Sequence, residues 1–326
     1  MARLPAPAGA LPADVVGLRA ALLAWFDRGG RALAFRAQRE PDPWAVLVSE
    51  VMAQQTQVAR VDGKWRAFMD RFPTPADLAA APLGDVIRAW SGLGYNRRAV
   101  DLQRAARAIV ESGGAVPNDL AALEGLPGVG PYTARAVAAI AFGKAVGAVD
   151  VNVRRVLGRL TTGESAAVTA RVVQTAADAL VDPSRPGDWT HALMDLGATV
   201  CRPGRPACGA CPIRAWCAFP GPARVAAPAP AAGPARAPAG PARPPAGPAR
   251  PPGPRRAVPF AATTRWLRGR IVERLCSEPP GTGVAFHGPL GLHPPEAVSA
   301  VLASLVADGL VELDGLGAAR LAGERA

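Results

Sequence analysis

No run of about 18 apolar residues occurs in the chain, which excludes a membrane-spanning helix even though 49% of its 326 residues are hydrophobic. The opening stretch, MARLPAPAGALPADVV, lacks the apolar core of a secretory signal, so a cytoplasmic location is expected. Period-two alternation is missing from residues 14–220, which argues against a sandwich or barrel there. Cysteine is scarce. Of five in the chain, four fall between Cys201 and Cys217 in CRPGRPACGACPIRAWC, spaced C-x6-C-x2-C-x5-C. In a reducing compartment such a cluster suits metal or redox chemistry better than structural disulfides.

What is present is helical. VVGLRAALLAWFDRG, WAVLVSEVMAQQTQVARV, PLGDVIRAWSGL, RRAVDLQRAARAIVESG, YTARAVAAIAFG, VNVRRVLGRL, VTARVVQTAADALV and WTHALMDLGATV each repeat apolar residues at helical spacing. Residues 14–220 therefore predict one all-α domain that includes the cysteine segment 201–217. Composition then shifts to Ala, Pro, Gly and Arg over 221–256, where GPAR occurs four times and no acidic residue appears. Such a segment cannot bury a core and reads as a disordered linker. In 257–326, TTRWLRGRIVERLCSEPP predicts an amphipathic helix with Cys276 on its apolar side, followed by a second helix and two short strands around Asp314–Gly317. This is either a small winged-helix-like domain or a packing appendage.

The net charge is +11, and six of those charges are arginines of the 221–256 segment, leaving five for the rest. A polyanionic partner fits this balance, and so does an arginine-rich composition with no partner. Four thiolates within so short a segment can hold Zn²⁺ or an iron–sulfur cluster. The single C-x2-C flanked by lone cysteines suits a compact [4Fe–4S] wrap better than the two separated knuckles of zinc sites. Zinc and a disulfide remain alternatives on spacing alone. LPGVGPYTARAVAAIAFG predicts a hairpin of two helices whose Leu126, Gly128, Val129 and Gly130 turn leaves N–H groups at a helix start, a phosphate-binding arrangement. Gly128 and Gly130 are both expected in backbone conformations closed to other residues. Asp150 lies about 20 residues on, ahead of the next helix.

The hairpin, the aspartate and the cysteine spacing, in this order, resemble the helix-hairpin-helix DNA glycosylases of the endonuclease III superfamily. The resemblance implies that fold over 14–220 and one [4Fe–4S] cluster on Cys201, Cys208, Cys211 and Cys217, with Arg202, Arg205 and Arg214 facing DNA. Bifunctional members carry a catalytic lysine where this chain has Tyr132, and a phenol cannot form the imine of a lyase. A monofunctional enzyme is implied. SEVMAQQTQV, WSGLGYNRRAVDL and HALMDLGATVC are similar to the MutY-type adenine glycosylase branch. That likeness implies Glu50 as the general acid at adenine N7, Asp150 as the carboxylate that stabilises the sugar cation, and Tyr132 and Asn152 beside them. It also implies Gln55 filling the space of the flipped base, Tyr95 as a wedge at the opposing base, and Thr56, Arg36 and His191 about the wedge and base pocket. The implied partner is double-stranded DNA with adenine opposite 8-oxoguanine or guanine, bound by a nucleoid-associated monomer.

The chain departs from that branch in several places. LPWR reads LAFR, two extra residues separate Arg36 from Glu50, MLQQT reads MAQQT with Ala53, and VDGNV reads VDVNV. Residues 257–326 are too short for the Nudix-like β domain that reads 8-oxoguanine in the branch. A thymine/uracil glycosylase acting opposite guanine is a competing expectation. So is a non-catalytic DNA-binding or redox-sensing protein on the same scaffold.

Overall fold

The computed structural model describes residues 11–37, 40–163, 168–221 and 258–324; the expected linker, apart from Gly221, lies outside the described residues. Helix starts follow local chemistry. Proline opens α2 (Pro43–Ala53), α4 (Pro75–Ala80), α8 (Pro131–Phe142), α11 (Pro186–Asp195) and α13 (Pro295–Ala307), where its missing N–H costs nothing. Asp14 caps α1 (Val15–Gly29), Asp119 caps α7 (Leu120–Glu124), Asp150 caps α9 (Val151–Thr162), Thr169 caps α10 (Ala170–Leu180) and Thr263 caps α12 (Thr264–Ser277), each side chain accepting from a first-turn N–H. The remaining helices are α3 (Val58–Arg71), α5 (Leu83–Trp90) and α6 (Arg97–Glu111). Among the described residues no helix is long and apolar enough to cross a membrane.

Two apolar cores divide the all-α part into lobes. Trp44, Leu47, Phe68, Trp90, Leu102 and Val137 knit α2 to α8 into the first, while Leu22, Leu157, Leu180, Trp189 and Leu193 join α1 to α9–α11 in the second. The large rings contribute most, at about 2–3 kcal/mol each for full burial. The indoles of Trp44 and Trp65 donate to the carbonyls of Phe72 and Ala45, so those polar tips are satisfied inside the first core.

Three expectations change. WAVLVSEVMAQQTQVARV is two helices, α2 and α3, broken at Gln54–Gln57. The cause is distant in sequence: the Arg98 guanidinium collects the carbonyls of Val51, Met52 and Gln54 at 2.9, 2.9 and 2.6 Å and so ends α2. WTHALMDLGATV runs as α11 to Asp195 and then widens to a π turn over Leu196–Val200. There Gly197 lies against α9 so closely that a Cβ would come within 2.7 Å of the Asn152 Cβ. The short α4 and α7 carry too few residues to show a period, and the sequence reading passes over them.

Residues 258–324 form α12, α13 and an antiparallel pair, β1 (Val311–Leu313) and β2 (Ala319–Leu321), with Val284 bridged to Ala319. Their core of Leu267, Ile271, Val298 and Leu305 takes in Ile87 of α5 and Val100 of α6. A buried ion pair locks this seam. Arg88 meets Glu324 at 2.9 Å and also donates to the carbonyls of Cys276 and Glu278, and Glu324 accepts from the Gly281 N–H. Cys276 is half-buried at the edge of this core, and burial pushes its thiol up. Glu324→Ala leaves Arg88 short of its partner, and breaking a buried pair costs about 3–5 kcal/mol. Hydrogen exchange in α12 and α13 is expected to accelerate while α9–α11 stay protected; equal protection in variant and parent would show that docking does not depend on this pair.

Candidate active site

Every residue of α2 from Trp44 to Met52 is buried, and Glu50 sits among them at 5% exposure. Glu50 therefore does not lie on an exposed helix face. Its carboxyl accepts a hydrogen bond from the Tyr132 hydroxyl, at the start of α8, at 2.9 Å. Burial raises the Glu50 pKa from 4.5 to about 6, over the opposing pull of the Tyr132 bond and of Arg36; Asp150 adds to the rise. Burial and the two carboxyl groups hold the Tyr132 phenol well above its usual range, so it stays a neutral donor.

Asp150 comes from the second lobe. Its Oδ1 accepts from the Val153 N–H at 2.6 Å and its Oδ2 from the Asn152 amide at 2.9 Å. The start of α9 supplies further positive potential there. Arg155, which the sequence reading did not single out, donates to Asn152 Oδ1 and to the carbonyls of Gly197 and Cys201. It thereby fixes which face of the Asn152 amide meets Asp150. The Tyr132 phenol is thus bonded to Glu50 and lies within electrostatic reach of Asp150.

Arg36 and His191 border the same region. One nitrogen of Arg36 lies 3.1 Å from each Asp195 oxygen, Arg31 pairs with the same carboxylate at 2.6 Å, and the buried Arg36 Nε has no hydrogen-bond partner among the described residues. Burial, then repulsion by Arg36, pushes the His191 pKa down to about 3, so the ring is neutral where it packs on Phe26. Asp195 was legible only as part of HALMDLG, with nothing to mark it as the anchor of two arginines.

Gln55 and Tyr95 have φ of 54° and 48° and are the only non-glycine residues with positive φ among the described residues. Such strain is held where the surroundings over-determine it. Arg98 supplies much of that: besides the end of α2, it binds the carbonyls of Leu93 and Gly94 and the hydroxyl of Thr56. Thr56 also reaches the carbonyls of Gln54 and Leu93, so it braces both strained turns. Gln54, also missed in the sequence, donates to the Gly128 carbonyl and the Thr133 hydroxyl and ties α2 to the hairpin.

In that hairpin Leu126 and Val129 are buried anchors and Gly128 has φ +75° with Asp101 against it. Gly130 differs from expectation. Its φ of −92° and ψ of 176° are open to any residue, and space surrounds it, so only Gly128 is conformationally required. The N–H groups of Gly128 and Gly130 donate to no acceptor among the described residues, which leaves them available ahead of α8.

The four cysteines gather beside α9. Cys211 lies within electrostatic reach of Cys217, Cys201 and Cys208, and burial pushes its thiol up to about 11 and that of Cys217 upward. Sulfur acceptors meet fixed donors: Arg159 to Cys201 Sγ at 3.3 Å, and the Ile213 and Phe219 backbones to Cys211 and Cys217. Among the described residues no group of three or more such side chains is placed to hold a metal ion. Cysteine sulfurs within electrostatic reach of one another and met by N–H donors are a donor set whose chemistry suits either Zn²⁺ or an iron–sulfur cluster. All three basic residues expected on this loop, Arg202, Arg205 and Arg214, are exposed, and Arg214 also donates to the carbonyls of Cys217, Phe219 and Pro220 and closes the loop on itself.

Comparison with known proteins places this geometry. Residues 48–182 match the family described as HhH-GPD superfamily base excision DNA repair protein. The adenine DNA glycosylase of Homo sapiens is 46% identical over 216 residues, which cover 63% of this chain but only 40% of the human protein. The adenine DNA glycosylase of Mycolicibacterium smegmatis is 37% identical over 307 residues, covering 93% of this chain and 95% of that one. Among solved structures, a thermostable thymine-DNA glycosylase superposes with a TM-score of 0.59 at 28% identity, over 63% of this chain and 96% of its own.

The buried Glu50 carboxyl has a stability signature. A folded-state pKa of about 6, above the ordinary 4.5, means that the proton is held more tightly in the folded chain; burial is penalised as pH rises through 6, by at most about 2 kcal/mol. Glu50→Gln removes the penalty. Its denaturation midpoint should match the parent near pH 4.5 and exceed it above pH 7; an equal or lower midpoint at pH 8 contradicts a desolvated Glu50.

Proposed function

The chain belongs to the adenine glycosylase branch of the HhH-GPD superfamily of base excision DNA repair proteins, and on that footing we propose that it hydrolyses the N-glycosidic bond of adenine mispaired with 8-oxoguanine or guanine in double-stranded DNA. The observation that carries this reading is the buried Glu50 carboxyl, with its raised pKa, set against Asp150 across Tyr132.

The chemistry follows from that pair. Adenine leaves poorly until N7 gains a proton, which Glu50 supplies. The C1′–N9 bond then breaks with its electrons going to the base, and the sugar carries a cation that the Asp150 carboxylate stabilises. Water adds at C1′ and gives its proton to the Glu50 carboxylate, restoring the acid. Tyr132 bonds to Glu50 and offers no amine, so no imine forms and the strand is not cut. Arg36 and the neutral His191 border the space for the extruded base, the unpartnered Arg36 Nε being one donor available to it. Gln55 and Tyr95 hold the gap in the stack. Cys201, Cys208, Cys211 and Cys217 would hold one [4Fe–4S] cluster, which would cross-link the 201–217 loop and takes no part in bond breaking.

Single-turnover assays at one salt concentration test the reading, with duplexes carrying A opposite 8-oxoguanine, A opposite G, T opposite G and U opposite G. Cleavage should require alkali after the reaction and be confined to the two adenine duplexes. Glu50→Gln and Asp150→Asn should each lose at least about 10²-fold in rate while still binding. The rate should fall as pH rises through about 6, because Glu50 gives up the proton the reaction needs. Turnover confined to T or U opposite G would move the chain to the activity named for its structural neighbour, and cluster-loaded protein inert on all four would be a binding protein. The cluster has its own test: brown protein absorbing broadly near about 400 nm, bleached in Cys211→Ser, against colourless protein if the ligand is zinc.

A further inference from the structure

The seam between residues 258–324 and the first lobe opens at one end into a cleft of about 870 Å³, and Gln55, Arg60, Tyr95, Phe260 and Arg265 are in its lining. Both strained residues, Gln55 and Tyr95, therefore face space that α12 helps to enclose. The cleft is basic, and most of its arginines are committed. Arg97 and Arg268 pair with Asp308, Arg270 pairs with Glu273, and Arg98 holds carbonyls. The Arg60 and Arg265 side chains, both exposed, make no ion pair or hydrogen bond with any described residue. Instead, the Arg265 guanidinium stacks 4.2 Å from the centroid of the Tyr95 ring, to which Arg98 also lies close, at 5.7 Å. Stacking uses the face of a guanidinium and leaves its N–H edge for an anion. An exposed cation fixed on a wedge residue, with a second cation lining the same cleft, is a phosphate-binding arrangement.

We propose that this cleft receives the backbone of the DNA strand opposite the excised base, with Arg265 and Arg60 as phosphate ligands. Residues 258–324 are then part of the duplex-binding surface. The inference rests on the glycosylase reading. Glu50, Asp150, Tyr132 and the 126–130 hairpin are all outside the cleft lining. A duplex parted at Gln55 and Tyr95, with one strand drawn toward those groups, leaves its other strand at the cleft. The seam that carries α12 to this place is the one locked by Arg88 and Glu324.

The test uses full-length, cluster-loaded protein and a duplex whose target nucleotide is an uncleavable 2′-fluoro-deoxyadenosine opposite 8-oxoguanine. Arg265→Ala should weaken binding about tenfold and lower the slope of log affinity against log salt by about 0.9, the change expected when one phosphate is no longer neutralised. Arg265→Lys should recover most of the slope. Neutral methylphosphonates placed singly along each strand then locate the phosphate that Arg265 binds. The parent should lose affinity at a position in the opposite strand, where Arg265→Ala loses nothing further. Unchanged affinity and slope in Arg265→Ala, or coupling confined to the strand that carries the adenine, overturns the proposal. Because Arg265 is exposed and belongs to none of the three cores, an unchanged thermal midpoint confirms that the variant is folded. Failure of the glycosylase reading is seen separately, as a parent that excises nothing.

Discussion

A carboxyl group withdrawn from water, with a neutral phenol as its hydrogen-bonding side chain, is the constraint on which the rest of this molecule depends. Ionising Glu50 inside α2 is costly because the helix is buried on every side and the nearest cation, Arg36, spends itself on Asp195. The two-lobed fold makes the arrangement possible. One lobe buries Glu50 and supplies Tyr132, and the other brings Asp150 to the start of α9, where N–H donors favour negative charge. Neither lobe alone contains both halves of the chemistry. The cysteine loop follows the π turn that lays Gly197 on Asn152, so the sulfur-bearing segment and the carboxylate site share α9 as a common wall.

A second constraint is the Arg98 guanidinium. It stops α2, binds the loop before Tyr95 and holds Thr56, so one side chain fixes the strained backbone at both Gln55 and Tyr95. Burying a cation among carbonyls rather than carboxylates provides many directional bonds without a counter-charge that would neutralise it. The C-terminal unit adds to the same place through Arg265. The residues that would part the DNA stack are thus held from three separated segments, as expected where strain must persist without ligand.

Much of this was legible in the sequence. Apolar period, proline at first turns and Asp or Thr caps locate most helices, and the motifs that carry Glu50, Tyr132 and Asp150 are readable one by one, although their meeting across the two lobes is not. What was not legible depends on contacts across the chain. Nothing near Gln54 foretells that Arg98 will end α2 there, and nothing near Asp195 shows that Arg31 and Arg36 converge on it. A glycine in a turn motif, such as Gly130, looks required until its φ is known. Helices of five or six residues, such as α7 and α4, carry no measurable period. The Arg265–Tyr95 stack joins residues 170 positions apart and has no local signature.

Burial lets Glu50 keep, up to a pH of about 6, a proton that a carboxyl at the ordinary 4.5 would already have lost. Carbon-13 NMR of protein labelled at glutamate side-chain carboxyls, with the Glu50 signal assigned by its loss in Glu50→Gln, measures this directly across pH 3 to 8. The Glu50 carboxyl should titrate near 6, well above the ordinary 4.5. A Glu50 signal titrating at the ordinary 4.5 would contradict this, because the fraction of Glu50 still carrying the proton near neutral pH would then be about thirtyfold smaller.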